Sequence, residues 1–221
     1  MSSRPRIKIC CIKSVAEART AVAHGADALG LVSAMPSGIG IIPDERLIPE
    51  IAAATPPPVA SFLLTSLNDT DAIIAQHQRC RTSTLQLVDA LTRGTHADLR
   101  AALPGIRIVQ VIHVIDEASV AEAITAAPHV DALLLDSGNP KLAVKELGGT
   151  GRTHNWALSR RIVEKSRRPV FLAGGLRADN VAAAWAAVHP WGFDICSGVR
   201  TNDTLDDAKL AAFFTAVAEL R

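Results

Sequence analysis

The last quarter of the chain contains two short apolar segments that each end in glycine. One spans 169–176 and the other 192–199, and each reads as a strand that runs into a helical pattern. A bare backbone turn at the start of a helix suits a phosphate dianion, because the free N–H groups and the helix dipole both favour negative charge. Two such turns at the end of a series of strand–helix units are typical of a phosphate-binding (β/α)8 barrel. The same glycines could instead serve only as tight turns.

The rest of the chain alternates apolar strands with helical patterns, in units of about 28 residues, which is near the minimum for a barrel. The other predicted strands are 6–10, 27–33, 59–64, 84–88, 106–114 and 132–136. The helical patterns begin at or near Ser14, Pro43, Asn68, His96, Glu117, Trp156, Asn180 and Leu205.

This alternation also fits an open doubly wound sheet. An open nucleotide-binding sheet usually carries its phosphate turn after the first strand, but here the first strand ends in Cys10 and Cys11. We therefore predict an α/β fold, a (β/α)8 TIM barrel of the phosphate-binding type, as one domain over residues 1–221.

The composition favours a small-molecule partner. The chain has 23 basic and 22 acidic residues and a net charge of +1, so it lacks the electrostatic footprint of a protein that binds nucleic acid or an acidic membrane surface. Apolar residues make up 48% and aromatic residues only 4%, with no Tyr. A core of Ala, Val, Ile and Leu is typical of parallel strands buried on both faces.

Cysteine and histidine spacing does not predict a metal site. The four Cys residues at 10, 11, 80 and 196 lack zinc-site spacing, and the His residues form no ligand set. We therefore expect neither a metal nor a cofactor. With no apolar signal segment and no run of membrane-spanning length, we expect a cytoplasmic protein with reduced thiols, as a monomer or a homodimer.

The active site of a barrel lies at the carboxyl ends of its strands, where the first strand ends at Cys10 and Cys11. Alternation lets only one of these two side chains point into the barrel mouth. Lys8 lies on the same face as Cys10, and its ammonium would favour a thiolate, whereas a bound phosphate would oppose one. Cys10 could also be simply a small buried hydrophobe.

Acidic and imidazole groups follow other strands. Asp136 ends a wholly apolar run, where it either caps the following turn or faces the mouth; burial there would favour the protonated form and suit proton donation. His113 and Asp116 could form a second acid–base pair. His113 alternates with Val114, however, so one of these two is buried on the helix side.

Taken together, the strand ends resemble the phosphoribosylanthranilate isomerase family of tryptophan biosynthesis. The matching segments run in order over nearly the whole chain. They are Lys8-Ile9-Cys10, Gly25–Gly30, Leu135-Asp136, Gly148–Thr153, Trp156, Leu172–Leu176, Asn180-Val181 and Asp194–Val199. The resemblance implies an Amadori rearrangement, in which an N-linked phosphoribosylamine becomes an aminoketose.

The resemblance also implies roles for individual residues. Asp136 matches the general acid that protonates the ribose ring oxygen, and Cys10 matches the general base that removes the proton from the sugar C2. The expected phosphate-binding residues are Gly149, Gly151, Gly174, Gly175, Ser197 and Gly198. The other expected substrate-binding residues are Lys8, Gln86 and Arg200.

Four departures from the family pattern concern the strand ends. Cys11 replaces a glycine, the fourth strand ends in Val88-Asp89 rather than His-Gly, and Arg200 stands where an acidic residue is common. The loop 35–40 lacks the arginine that binds the anthranilate carboxylate, and the next cation is Arg46. Losing such a contact costs about 1.5–3 kcal/mol. Either Arg200 replaces the anchor or the substrate lacks this carboxylate.

Two other functions stay open. One is another phosphate-barrel reaction, such as epimerisation or aldol cleavage, although an epimerase would need a metal and its His and Asp ligands. The other is a barrel that binds a phosphorylated ligand without turning it over. Retention of Cys10 and Asp136 argues against a pure binding role, and loss of the arginine loop argues for it.

Overall fold

The computed structural model describes residues 4–36, 38, 40–139, 142, 145, 147, 151 and 153–220. Within these ranges eight parallel strands pair in chain order and close into a barrel, which confirms the predicted (β/α)8 fold. The strands are β1 Arg6–Ile9, β2 Ala28–Val32, β3 Ala60–Thr65, β4 Thr84–Leu87, β5 Arg107–His113, β6 Ala132–Asp136, β7 Val170–Leu172 and β8 Gly192–Ile195. Each overlaps one predicted strand.

Helices follow the strands and cover the outside of the barrel. They are α1 Val15–Ala23, α2 Leu47–Ala54, α3 Thr70–Cys80, α4 His96–Ala102, α5 Glu117–Ala126, α6 Trp156–Ser166, α7 Val181–Val188 and α8 Asp207–Ala218. The predicted starts of α1 and α3 are confirmed by capping bonds, because Ser14 accepts from the Glu17 N–H and Asp69 accepts from the N–H groups of Asp71 and Ala72. No helix in the described ranges combines the length and the apolarity needed to cross a bilayer.

Three local features differ from what the sequence pattern indicates. The helix expected from Pro43 begins at Leu47, since the preceding residues form a turn in which Asp44 accepts from the Arg46 N–H. The helix expected near Asn180 begins at Val181, as predicted, but a capping bond from the Asn180 side chain is not formed; that side chain accepts from the Arg177 N–H and donates to the Gly175 carbonyl, which ties the turn after β7 together. After β8 the chain makes a 3-10 turn and an antiparallel hairpin that the sequence pattern did not predict. The hairpin strands are β9 Arg200–Thr201 and β10 Thr204–Leu205.

Side chains along β1 point alternately toward the helices and into the barrel interior. Ile7 and Ile9 are fully buried in the layer between the strands and the helices. Lys8 points into the barrel, where its ammonium lies 5.4 Å from the centre of the Phe62 ring. Gly30 on the neighbouring strand makes room, because a Cβ there would lie 3.0 Å from the Lys8 Nζ. The barrel interior therefore encloses a cation below its mouth.

Candidate active site

A cavity opens at the carboxyl ends of the barrel strands. Its walls come from residues at the ends of β1, β2, β3, β4, β6, β7 and β8 and from the loops that follow them. Among the residues predicted from the sequence, those that line it are Cys10, Gln86, Asp136, Gly151, Gly174, Gly175 and Ser197. The fold thus brings residues from distant parts of the chain to one concave surface, as expected for a ligand site.

Lys8 and Asp194 form an ion pair below the cavity. Their Nζ and Oδ1 atoms are 2.8 Å apart, and the Lys8 side chain is fully buried. Burial alone would lower the pKa of Lys8, but the Asp194 carboxylate and the neighbouring Cys10 and Cys11 together outweigh it and raise that pKa. Asp194 lines the cavity whereas Lys8 does not. Lys8 therefore acts as a fixed positive charge under the site.

Cys10 follows β1 and lies directly above this charge. A hydrogen bond from the Cys11 thiol lowers the pKa of the Cys10 thiol. Burial and the Asp194 carboxylate oppose this shift, and the Lys8 ammonium supports it. The pKa of Cys11, which donates the hydrogen bond, is raised. Of the two neighbouring thiols, Cys10 is therefore the one suited to form a thiolate.

The expectation that only one of the two thiols faces the mouth was wrong. Both Cys10 and Cys11 line the cavity. Cys11 has a φ of 63°, in the left-handed region that non-glycine residues rarely adopt. This conformation breaks the alternation of β1, so the second thiol turns inward as well.

Asp136 is the last residue of β6 and its side chain is 8% exposed at the cavity wall. Its Oδ1 accepts hydrogen bonds from the Ser137 N–H at 2.7 Å and from the Ser137 hydroxyl at 3.4 Å. The two interpretations made from the sequence thus coexist, because one carboxylate both ties the following turn and borders the cavity.

His154 is a neighbour of Asp136 that the sequence did not single out. Burial lowers the pKa of His154 to about 4, and the negative charge of Asp136 only partly opposes this. Its Nε2 lies 2.7 Å from the Ser159 hydroxyl, and its buried Nδ1 has no hydrogen-bond partner within the described ranges. His154 precedes α6 in a stretch without periodicity, so the sequence carries no signal for it. Only its proximity to Asp136 in the folded chain identifies it as a residue near the site.

The two glycine turns meet beside the cavity. Gly174 and Gly175 have φ values of 86° and 62°, so this turn requires residues without a side chain. A Cβ on Gly151 would lie 3.6 Å from the Ser197 hydroxyl, which places the β6–α6 loop next to the turn after β8. Gly149 falls outside the described residues.

Gly198 does not line the cavity. A Cβ at this position would lie 2.0 Å from the Leu176 carbonyl oxygen, so the glycine lets the turn after β8 pack directly against the turn after β7. Its backbone holds the two turns together behind the cavity wall.

Gln86 offers an unused acceptor. The side chain is 2% exposed and lines the cavity from β4. Its buried Oε1 has no hydrogen-bond partner among the described residues. Buried polar atoms are usually satisfied, so this oxygen is suited to accept a hydrogen bond from a ligand hydroxyl or N–H group.

Arg200 is turned away from the cavity, contrary to the expected substrate contact. The side chain is 7% exposed, and its guanidinium donates to both oxygens of Glu17, at 3.0 and 2.7 Å. It also donates to the carbonyl oxygens of Asp203 and Cys11. These buried contacts occupy the terminal N–H groups of the guanidinium that would otherwise bind a substrate carboxylate.

Two other cations among the described residues, Arg46 and Lys145, are also paired. The exposed Arg46 binds Asp44, and Lys145 binds Asp89 at the end of β4. The possible acid–base pair of His113 and Asp116 is not formed, because His113 contacts the Val88 carbonyl and Asp116 caps α5. Within the described ranges, no group of three or more His, Cys, Asp or Glu residues could hold a metal ion.

Comparison with known proteins matches this barrel to one family of enzymes. Residues 7–216 match the family model of N-(5'phosphoribosyl)anthranilate (PRA) isomerase. N-(5'-phosphoribosyl)anthranilate isomerase 2 of Methanosarcina mazei is 35% identical over 209 residues, which cover 94% of this chain and 92% of the relative. The isomerase of Pelobacter propionicus is 36% identical over 218 residues, or 98% of this chain and 97% of the relative.

Solved structures of the same name share the fold. Phosphoribosyl anthranilate isomerase from Thermotoga maritima has a TM-score of 0.80 at 25% identity and covers 98% of this chain and 100% of that one. Another solved isomerase, at 23% identity and a TM-score of 0.77 over 98% of this chain and 100% of that one, is in complex with reduced 1-(o-carboxyphenylamino)-1-deoxyribulose 5-phosphate.

Proposed function

Because the chain belongs to the N-(5'-phosphoribosyl)anthranilate isomerase family, we propose that it converts N-(5-phosphoribosyl)anthranilate to the carboxyphenylamino-deoxyribulose phosphate of tryptophan biosynthesis. One arrangement carries this proposal. Cys10 follows β1 and Asp136 ends β6, and the two strands between them around the barrel, β7 and β8, carry the glycine turns. An acid and a base thus flank the place where a phosphate would bind.

Asp136 is the proposed general acid. Its protonated carboxyl group gives a proton to the ribose ring oxygen, the bond from C1 to that oxygen breaks, and the open chain is a Schiff base. The position of Asp136 at the cavity wall, largely shielded from water, supports this role. The Ser137 N–H orients the carboxyl group during the transfer.

Cys10 is the proposed general base. Its thiolate takes the proton from C2, and the resulting enol tautomerises to the ketone of the product. The lowered pKa of Cys10 supports this role, and the Cys11 hydrogen bond is the main cause. Lys8 acts through Cys10, by stabilising the thiolate without touching the substrate.

Binding of the phosphorylated sugar is assigned to the turns and to β4. Backbone amides of Gly174, Gly175 and Ser197 hold the phosphate, and Gly198 contributes by keeping the two turns in contact. Gly151, which lies beside Ser197 at the cavity wall, borders the same site. The free Oε1 of Gln86 accepts a hydrogen bond from a sugar hydroxyl.

Turnover of freshly made phosphoribosylanthranilate, followed by loss of its fluorescence, tests the proposal. We expect Cys10→Ala and Asp136→Asn to lower kcat by about a hundred- to ten-thousandfold each. Cys80→Ala, which removes a buried thiol from α3, and Asp116→Asn, which alters a helix cap, are the matched controls and should change kcat little. A folded parent that binds ribose 5-phosphate without turning over phosphoribosylanthranilate would contradict the proposal, as would a fully active Cys10→Ala variant.

A different phosphorylated sugar amine is the second candidate substrate. Arg46, Lys145 and Arg200, three cations within the described part of the chain, pair with carboxylates, and this pairing favours an aglycone that lacks the anthranilate carboxylate. Competition separates the two substrates: anthranilate-bearing product analogues should bind no more tightly than aniline-bearing ones if this candidate is correct. A clear preference for the carboxylate would exclude it.

A further inference from the structure

Two thiols that the proposed mechanism does not use as acid or base meet at the cavity wall. The Sγ atoms of Cys11 and Cys196 are 2.6 Å apart, and both residues are free thiols that line the cavity. They follow β1 and β8, which pair side by side, and the Cys10 N–H donates to the Ile195 carbonyl at 2.8 Å just before them. Neighbouring strands therefore hold the two sulfurs in register.

The local backbone directs the Cys11 sulfur toward Cys196. The left-handed φ of Cys11 turns its side chain into the cavity. Gly40 leaves space for it, because a Cβ there would lie 2.3 Å from the Cys11 Sγ. The buried guanidinium of Arg200 binds the Cys11 carbonyl and fixes the turn. A strained conformation that is fixed on several sides points to a use for the side chain it presents.

We propose that Cys11 and Cys196 are a redox-active dithiol, which hydrogen peroxide oxidises to a disulfide that slows catalysis at the neighbouring Cys10. The effect on catalysis rests on the proposed function, whereas formation of the disulfide does not. The two sulfurs already touch, so the bond needs only a small approach to the length of about 2.05 Å.

The oxidation balances with one peroxide per dithiol. Cys196, the more exposed of the two, loses its proton and attacks an oxygen of hydrogen peroxide; the O–O bond breaks and leaves a sulfenic acid and hydroxide, which takes up that proton and leaves as water. The Cys11 sulfur then attacks the sulfenic sulfur, the S–O bond breaks, and hydroxide leaves as water with the Cys11 proton. Two thiols lose two electrons and two protons, and the peroxide becomes two waters. A reducing dithiol reverses the change.

The disulfide would act on the base through a hydrogen bond. In the reduced protein Cys11 adjoins Cys10 on the cavity wall, where the Cys11 thiol is a donor that favours the Cys10 thiolate. A disulfide sulfur has no proton to donate, so the thiolate loses this donor. Lys8 on the same strand and Asp194 on β8 still face Cys10, and their opposing charges stay in place. The oxidised protein should therefore need a higher pH for activity.

Peptide mapping of the full chain tests the disulfide directly. The reduced protein is treated with hydrogen peroxide, its remaining thiols are blocked with N-ethylmaleimide, and the digest is analysed by mass spectrometry. We expect a peptide containing Cys11 linked to one containing Cys196. Cys10→Ser should keep this link, which assigns it to Cys11, and Cys196→Ser should lose it. The matched control Cys80→Ala should keep it. No link, or one that Cys10→Ser removes, would overturn the dithiol.

The activity measurement uses the same samples. We expect kcat/KM to fall by about ten- to a hundredfold on oxidation, the effect of losing a hydrogen bond to a charged group, and to recover with dithiothreitol. The oxidised-to-reduced ratio should stay near one in Cys196→Ser. An equal loss in that variant would mean that Cys10 itself is oxidised and would overturn the regulatory role. If the parent turns over no phosphoribosylanthranilate, the peptide map alone still decides whether the dithiol exists.

Discussion

Lys8 on the first strand and Asp194 on the last strand lie opposite each other in register, and their ion pair closes the barrel beneath the cavity. The Phe62 ring and Gly30 border the ammonium, so water has no access to it. The pair therefore serves the fold and the site at once: it joins the two ends of the sheet, and it sets the electric field under the proposed base.

Asp194→Asn should lower the free energy of unfolding by about 3–5 kcal/mol, because it leaves the Lys8 charge buried without its partner. Urea denaturation measures this. The double variant K8M/D194L, which removes both charges, should lose less than Asp194→Asn alone. Asp203→Asn is the control, since it removes the acceptor of an exposed lysine pair and should change stability little. An Asp194→Asn variant as stable as the parent would show that the ion pair does not contribute to stability.

Cys11→Gly should shift the acid limb of the pH profile of kcat/KM toward higher pH. The Cys11 thiol lowers the pKa of Cys10, so removing it raises that pKa, and the thiolate forms only in more alkaline solution. Activity at neutral pH falls and recovers as the pH is raised. Cys11→Ser keeps a hydroxyl donor at the same position and should shift less. If the acid limb stays in place in Cys11→Gly, the hydrogen bond does not set the ionisation of the base.

Much of this fold could be predicted because each strand is a local apolar run bounded by turn residues. β6, for example, has the predicted bounds, since Ala132–Asp136 is apolar up to its final carboxylate. The hairpin of β9 and β10 was missed because strands of two residues carry no periodicity. The start of α2 was misplaced because Pro43 suits a turn as well as a first helical position.

The proposed site was less predictable where contacts are distant in sequence. Arg200 was expected at the substrate, but its acceptor Glu17 lies 183 positions earlier, and no local pattern signals such a pair. The inward turn of Cys11 depends on a left-handed backbone that strand alternation cannot reveal. Strand ends predict which residues gather at the mouth, whereas side-chain direction depends on partners that only the folded chain brings together.

Gly198→Ala should raise KM for the phosphorylated substrate by about ten- to a hundredfold, the effect of displacing binding groups by roughly an ångström. The added methyl group would lie 2.0 Å from the Leu176 carbonyl and push the two turns apart. Gly105→Ala is the control: its φ of 87° makes alanine strained, but the space around it is open and it precedes β5 at the far end of the barrel. It should lose stability with an unchanged KM. An unchanged KM in Gly198→Ala would show that the two turns do not bind the phosphate.

Glu17→Gln should destabilise the protein at neutral pH and flatten its loss of stability in acid. Burial opposes ionisation of Glu17, but hydrogen bonds from Arg200 and from the Leu205 and Lys13 N–H groups outweigh it and lower the pKa below 4.5. A lowered pKa adds stability above the unfolded-state value, and this is lost as the pH falls through the folded-state value. Urea midpoints of parent and variant should therefore converge below about pH 4.5.

Glu164→Gln, which breaks an exposed pair, should differ little from the parent at any pH. A constant gap between parent and Glu17→Gln across this range would contradict the assignment of the charge to Glu17.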